Sequence, residues 1–222
     1  MPELTAVDGV HVLRLGADEN RFSPDWIKAT NAALDEVVAD PAPLVTVGEG
    51  KFYSNGLDLD WIMANPDALA AYTADVQELF ARVLTLPVPT VAAVSGHAFG
   101  AGAMLAMAHD WRVMREDRGY FCFPEVDIRI PFTDGMAALI QAKLGPQAAV
   151  ASMTTGHRFP GPEALRTGLV DGTAAEADLV TAAVARVSPL AGKDAGTLGA
   201  IKATMFAATV ARLRADGPPV GV

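Results

Sequence analysis

The 222-residue chain has one cysteine, Cys122, which excludes an internal disulfide and any cysteine-based metal cluster. Its four histidines, His11, His97, His109 and His157, are scattered and show no metal-ligand spacing, so no metal site is expected. Cations are few. Seventeen Lys and Arg face 26 Asp and Glu, for a formal charge of −9, and no dense basic block occurs. That balance argues against nucleic acid or an anionic membrane as the main partner, and leaves room for a phosphorylated small ligand held by a few local cations. No uninterrupted apolar run reaches membrane-spanning length. The opening MPELTAVDGVHV lacks a basic segment followed by an apolar one, and the closing GPPVGV lacks a Ser-Lys-Leu-type address. These absences lead to the expectation of a cytoplasmic protein.

What is present is apolar. Half of the residues are hydrophobic, enough for one domain with a sizeable core. Strand patterning covers Gly9 to Leu15, Leu44 to Val47, Val91 to Val94 and Gly119 to Phe123. Ser23-Pro24-Asp25 reads as a helix start, with Ser as the cap and Pro at the first helical position. That helix is expected to run to about Ala39, with Ile27, Leu34, Val37 and Val38 as its apolar stripe. A second helix is expected over Asp67 to Thr85, stopped by Pro87 and Pro89. Beyond Phe123 the pattern predicts helices only: Thr133–Leu144, Pro146–Thr155, Pro162–Thr167, Asp178–Val187 and Thr197–Arg214. Alternating strands and helices followed by helices alone predict an α/β layer fold with a helical C-terminal extension.

The most informative stretch is PTVAAVSGHAFGAGAMLAMAHDWRVM, Pro89 to Met114. A buried strand enters a turn bearing Gly96, Gly100 and Gly102, and a helix leaves it. Such a turn lets the backbone approach a ligand, and the free N–H groups of the helix start favour an anion. A second loop of the same character, Tyr53-Ser54-Asn55-Gly56-Leu57-Asp58, follows an earlier strand. Two main-chain N–H groups from two such loops can converge on one oxygen and stabilise an enolate or a tetrahedral oxyanion. Glycine-rich strand-to-helix turns also arise purely from packing, so the pattern alone leaves both readings open. A candidate base, Glu125, follows Pro124 inside an apolar stretch (Phe123, Val126, Ile128, Ile130, Phe132) that is expected to desolvate it and raise its basicity.

These residues resemble the crotonase superfamily, the enoyl-CoA hydratase/isomerase proteins, over most of the chain. The resemblance is carried by Lys51 to Leu59, by Ser95 to Gly102 with Leu105-Ala106 and Asp110-Trp111-Arg112, and by Phe123 to Val126. It continues through Thr155-Gly156, Glu163-Ala164-Leu165 and Gly168-Leu169-Val170. It implies an α/β fold with a crotonase-like ββα spiral core over residues 1–160. A short helical trimerisation region, 161–222, belongs to the same structural unit. It implies an acyl-CoA thioester substrate, no cofactor beyond the coenzyme A that the substrate carries, and a homotrimer or a dimer of trimers. By alignment the oxyanion donors fall on the backbone N–H groups of Asn55 and Ala101. Ser54, Gly56, Leu57, Trp61, Phe99, Gly100, Ile128 and Phe132 are expected to bind substrate. Arg21 and Lys51 are candidates for the coenzyme A phosphates, with Lys193 or Lys202 arriving from the C-terminal region.

Hydratases of the family resemble one another in carrying two glutamates. Here the first position is Met104, which cannot shuttle a proton, and the second is Glu125. One carboxylate suffices to move a proton between two carbons on one face of a dienolate. The resemblance is therefore to the delta3-delta2 enoyl-CoA isomerases, with Glu125 moving the proton from C2 to C4. The alternatives are a weak hydratase, another acyl-CoA lyase or decarboxylase, and a non-catalytic acyl-CoA-binding protein. The remaining polar residues have plainer expected roles. Asp127 is solvated or ion-paired, His97 is packed, His109 and Asp110 end a helix, and Arg115 to Arg118 form a solvated turn. Trp61 is placed beside the first loop.

Overall fold

The computed structural model describes residues 1–215; 216–222, with the GPPVGV end, lie outside the described residues. Two strands, β1 (Glu3–Val7) and β2 (Val10–Arg14), form an antiparallel hairpin on Asp8-Gly9, both at positive φ. β1 escapes the sequence reading because it is a solvent-facing edge strand with no buried residue. Helix α1 (Pro24–Ala39) starts as expected, with Ser23 Oγ accepting from Trp26 N, and buries Ile27, Leu34 and Val37. Val38 leaves the stripe and is largely exposed.

Three ββα turns follow. β3 (Leu44–Val47) leads to β4 (Phe52–Ser54), then to α2 (Leu59–Ala64) and the longer α3 (Leu69–Leu84). β5 (Thr90–Val94) leads to β6 (His97–Phe99) and α4 (Ala101–Ala108). β7 (Trp111–Arg115) leads to β8 (Phe121–Cys122) and the single-turn α5 (Glu125–Ile128). The first strand of each turn joins a six-stranded sheet, β1-β2-β3-β5-β7-β9, completed by β9 (Gly172–Ala174) and parallel except at β1. The second strand of each joins a parallel three-stranded sheet, β4-β6-β8. The rest of the chain supplies α6 (Asp134–Lys143), α7 (Pro146–Met153), α8 (Gly161–Thr167), β9 (Gly172–Ala174), α9 (Leu179–Val187), α10 (Ala195–Met205) and α11 (Ala207–Leu213).

The second half is thus not helical alone. Gly172–Ala174 extends the main sheet beside β7, which a three-residue strand with no apolar run does not announce. Arg115 is not in a solvated turn either. It ends β7, is nearly buried, and pairs with Asp117 (2.6 Å) and Glu176 (2.5 Å). The expected helix over Thr197–Arg214 is two helices, parted at Phe206.

Alternation along β5 divides the core. Val91 and Ala93 face α9, whose Leu179, Ala183, Val184 and Val187 cover the outer side of the main sheet. Ala92 and Val94 face the interior with α3, α4 and α6. Every residue of α4 is buried, and a helix apolar on all sides is stable only inside such a core. A buried polar chain fixes it. His109 Nδ1 meets Leu105 O at 2.8 Å, its Nε2 meets Thr46 Oγ1 at 3.0 Å, and Thr46 Oγ1 meets the Tyr53 hydroxyl at 2.8 Å. Burial holds His109 down to about 4, so the imidazole is neutral.

The C-terminal region is tied to the sheet by Asp110, which accepts from Thr90 N (2.8 Å) and from Lys202 Nζ (2.6 Å). Lys202 is buried and also donates to Val88 O at 2.8 Å, so it is a structural residue and is not available to coenzyme A phosphates. Removing the carboxylate strands a buried ammonium. Asp110→Ala is expected to lose about 3 kcal/mol of stability in urea unfolding; a loss below ~1 kcal/mol would show that the pair is not what anchors α10.

Candidate active site

The loop after β4 is held from below. Ser54 Oγ donates to Asn20 O (2.7 Å) and accepts from Gly56 N (3.0 Å), and Asn20 Nδ2 donates to Tyr53 O (3.0 Å). Asp58 caps α2 by accepting from Trp61 N, and Asp58 N donates to the Tyr72 hydroxyl. The loop after β6 turns at Gly100, with φ of 51°, and delivers Ala101 as the first residue of α4. The two loops meet main chain to main chain. A Cβ on Gly56 would sit 2.9 Å from Ala101 N, and one on Gly102 would sit 2.3 Å from Ser54 O. Only glycine permits this approach.

This geometry corrects the expected donor pair. The Asn55 N–H donates to Glu19 O at 2.8 Å, and its side chain donates to Glu19 Oε2 at 3.1 Å. Asn55 N–H is therefore engaged. The N–H of Leu57, two residues on, donates to no acceptor among the described residues, and neither does that of Ala101, which as the first residue of its helix has no intrahelical partner. Leu57 and Ala101 both line the cavity.

Glu125 opens the one-turn helix α5, which ends at Arg129 in the left-handed region. The sequence reading held no helix here. The turn sends Glu125 inward at 8% exposure and leaves Asp127 exposed. Glu125 Oε1 faces Gly100, 3.4 Å from where a Cβ would stand, and Oε2 is buried without a hydrogen-bond partner. Burial pushes the carboxyl up to about 7. Phe123, Ile128, Ile130 and Phe132 supply the apolar surroundings, whereas Val126, 52% exposed, does not line this cavity.

A cavity of about 290 Å³ brings Glu125 together with Asn55, Leu57, Phe99, Gly100, Ala101, Ile128, Phe132 and Arg21. Met104, at 1% exposure, lines it where a second carboxylate was sought. Four predicted residues stand elsewhere. Ser54 and Gly56 are buried beneath the loop as its supports. Trp61 stacks on Tyr72, with ring centroids 5.2 Å apart, and braces α2 against α3. Lys51 is exposed outside the cavity, its Nζ 5.2 Å from the Phe52 ring centroid. Arg21 borders the cavity, but its guanidinium is held by Glu19 (2.5 Å) and Asp60 (3.3 Å). Sequence reasoning missed Arg158, Pro131 and Met136, which also line the cavity. Arg158 lies two residues past a quoted motif, and Met136 reads from sequence as ordinary core. A larger cavity, about 510 Å³, opens under α10, but its one carboxylate facing the sheet, Asp110, is already paired with Lys202. Among the described residues, no group of three or more His, Cys, Asp or Glu is placed to hold a metal, and no helix is long and apolar enough to cross a membrane.

The enoyl-CoA hydratase/isomerase family model matches residues 6–216. The chain is 39% identical over 167 residues to enoyl-CoA delta isomerase 3 of Arabidopsis thaliana, covering 72% of this chain and 70% of that one. It is 36% identical over 185 residues to the peroxisomal enoyl-CoA delta isomerase 1 of the same plant, covering 79% and 77%. The human mitochondrial delta3-delta2-enoyl-CoA isomerase has the same fold, with a TM-score of 0.88 at 23% identity over 96% of this chain and 85% of that one.

Holding Glu125 at about 7 has a consequence for stability. Between its ordinary value of 4.5 and about 7, the folded chain keeps a proton that the unfolded chain has released, so this group lowers stability as pH rises through that window. Glu125→Gln removes the effect. The variant is expected to match wild type near pH 4.5 and to exceed it by about 3 kcal/mol above pH 7, measured by urea unfolding across that range. A pH-independent difference would contradict the burial of an ionisable carboxyl.

Proposed function

The chain belongs to the enoyl-CoA hydratase/isomerase family, and on that premise we propose that it converts 3-enoyl-CoA to 2-trans-enoyl-CoA through a single carboxylate. The observation that carries this reading is the pairing of a buried, unpartnered Glu125 with Met104 in one cavity. The thioester carbonyl oxygen accepts from the N–H groups of Leu57 and Ala101, which acidifies C2 and stabilises the dienolate. Glu125 removes the C2 proton, the electron pair shifts through the double bond, and protonated Glu125 returns the proton to C4. Substrate and product are isomers, so the step balances without a cofactor, water or an external acid. A carboxyl near 7 suits both halves, being basic enough to take the proton and acidic enough to return it.

Hydration would require a second group to orient and deprotonate water, and Met104 offers none. The reading carries with it assembly as a homotrimer or a pair of trimers, supported by the exposed apolar side chains Val126 and Ile128 on α5 and Val150 on α7.

Two measurements test the reading. Incubated with 3-cis- or 3-trans-enoyl-CoA, the protein is expected to form 2-trans-enoyl-CoA with no gain in mass; a product heavier by one water supports a hydratase, and binding without conversion supports an acyl-CoA-binding protein. For the wild type, kcat/KM is expected to rise with pH and level off above about 7, as the base ionises. Glu125→Gln is expected to lower kcat by about 10³-fold. Full turnover by that variant would remove Glu125 from the mechanism.

A further inference from the structure

One cation stands apart from the rest. Among the described residues, every lysine or arginine is either paired with a carboxylate or exposed to solvent, except Lys143 at the end of α6. Lys143 is half-buried. Its Nζ reaches one acceptor, Asp110 O, at 3.5 Å, and lies 5.4 Å from the Phe206 ring centroid. The nearby carboxylates are committed elsewhere. Asp110 holds Lys202 at 2.6 Å, and Asp171 holds Arg112 at 2.9 Å. Three cations thus share two carboxylates, and Lys143 is the one left over. Burial and the fields of Arg112 and Lys202 outweigh those of Asp110 and Asp171, and hold its ammonium down to about 8.

Lys143 lines the cavity of about 510 Å³ beneath α10, a size typical of small-molecule sites, which span about 300–1,000 Å³. The walls are mostly apolar. Trp111, Leu190 and Phe206 contribute, and Leu198, Ile201 and Met205 come from one face of α10. Of the residues of α10 only Lys202 is buried, and Ile201 and Met205 are 55% and 70% exposed. An unpaired ammonium among apolar walls matches a ligand with one negative charge and an apolar body. A dianion fits less well, because Asp110 and Asp194 also line the cavity. Asp194 is engaged as the cap of α10, accepting from Thr197 N at 2.7 Å. Lys193, beside it, is exposed to solvent.

We propose that this cavity binds an aliphatic monocarboxylate, a free fatty-acid anion, with its carboxylate on Lys143 Nζ and its chain along Leu198, Ile201 and Phe206. The site is separate from the one that holds Glu125, since the two cavities share no residue. It does not depend on the isomerase reading. Helix α6 runs between the two, with Met136 lining one cavity and Lys143 the other.

The test titrates the full chain with octanoate and with 1-octanol, which has the same tail and no charge, by calorimetry across pH 6 to 9. Octanoate is expected to bind more tightly than octanol at the acid end, and to weaken as pH rises through about 8, where Lys143 loses its charge. Lys143→Met is expected to weaken octanoate by about tenfold, to leave octanol unchanged and to abolish the pH dependence. Lys143→Arg, charged throughout, is expected to keep the preference for octanoate even at pH 9. Thermal unfolding of each variant reports on folding, and the pH profile of the wild type needs no variant. Equal octanoate affinity in wild type and Lys143→Met would overturn the proposal, as would equal affinity of wild type for octanoate and octanol. So would a wild type that binds no octanoate; if Ile201→Asp then also disrupts assembly in sedimentation, the α10 face belongs to a second copy of the chain.

Discussion

The close approach of two backbones, the loop after β4 and the first turn of α4, is the constraint on which the site depends. Gly56 and Gly102 have no room for a Cβ, and the atoms they would strike are main-chain atoms that cannot rotate away. Everything around them serves that contact. Ser54 and Asn20 fix the loop from below. The Thr46–His109–Leu105 chain fixes the end of α4 to the main sheet. The core encloses α4, every residue of which is buried. Two N–H groups, of Leu57 and Ala101, are left facing one cavity without acceptors. Preorganised donors of this kind stabilise developing charge without reorganising when it appears.

Facing those two N–H groups the cavity holds one carboxylate, Glu125. Burial disfavours the charged form of Glu125, and no cation or hydrogen-bond donor compensates at Oε2. On the proposed reading, that local loss of stability at neutral pH accompanies a base of useful strength. Met104 keeps its part of the cavity wall apolar, and on the proposed reading this leaves water without a second partner. The two N–H groups, Glu125 and Met104 come from three successive ββα turns. The site is therefore assembled only when the turns stack, and no single segment contains it.

Much of this was legible in the sequence because it rests on local rules. The Ser23 cap, the buried β3 and β5, the glycine turn before α4 and the Pro-Glu pair all follow from residue type and spacing. What was not legible depends on partners distant in sequence. The N–H of Asn55, expected to be free, is engaged by Glu19, some thirty-six residues earlier, a fact no pattern within the loop records. Arg115 reads as part of a charged turn until Glu176 arrives beside it. β9 is too short and too polar to show strand periodicity, and it exists because β7 offers it an edge. Trp61 lies beside the loop in sequence, yet Tyr72 draws it away from the cavity. Arg158 enters the site through the bridge between Phe121 and Phe159, which pairs segments far apart in the chain.

The central claim is that one carboxylate carries a proton from one carbon to another on the same face of the substrate. Its most direct test is a single-turnover reaction of 3-enoyl-CoA deuterated at C2, run in ordinary water and read by mass spectrometry of the product's C4 methylene. The account predicts that part of the deuterium reappears at C4, because the buried Glu125 holds the proton it has taken. Product in which C4 carries only solvent hydrogen, or product that has gained the elements of water, would contradict it.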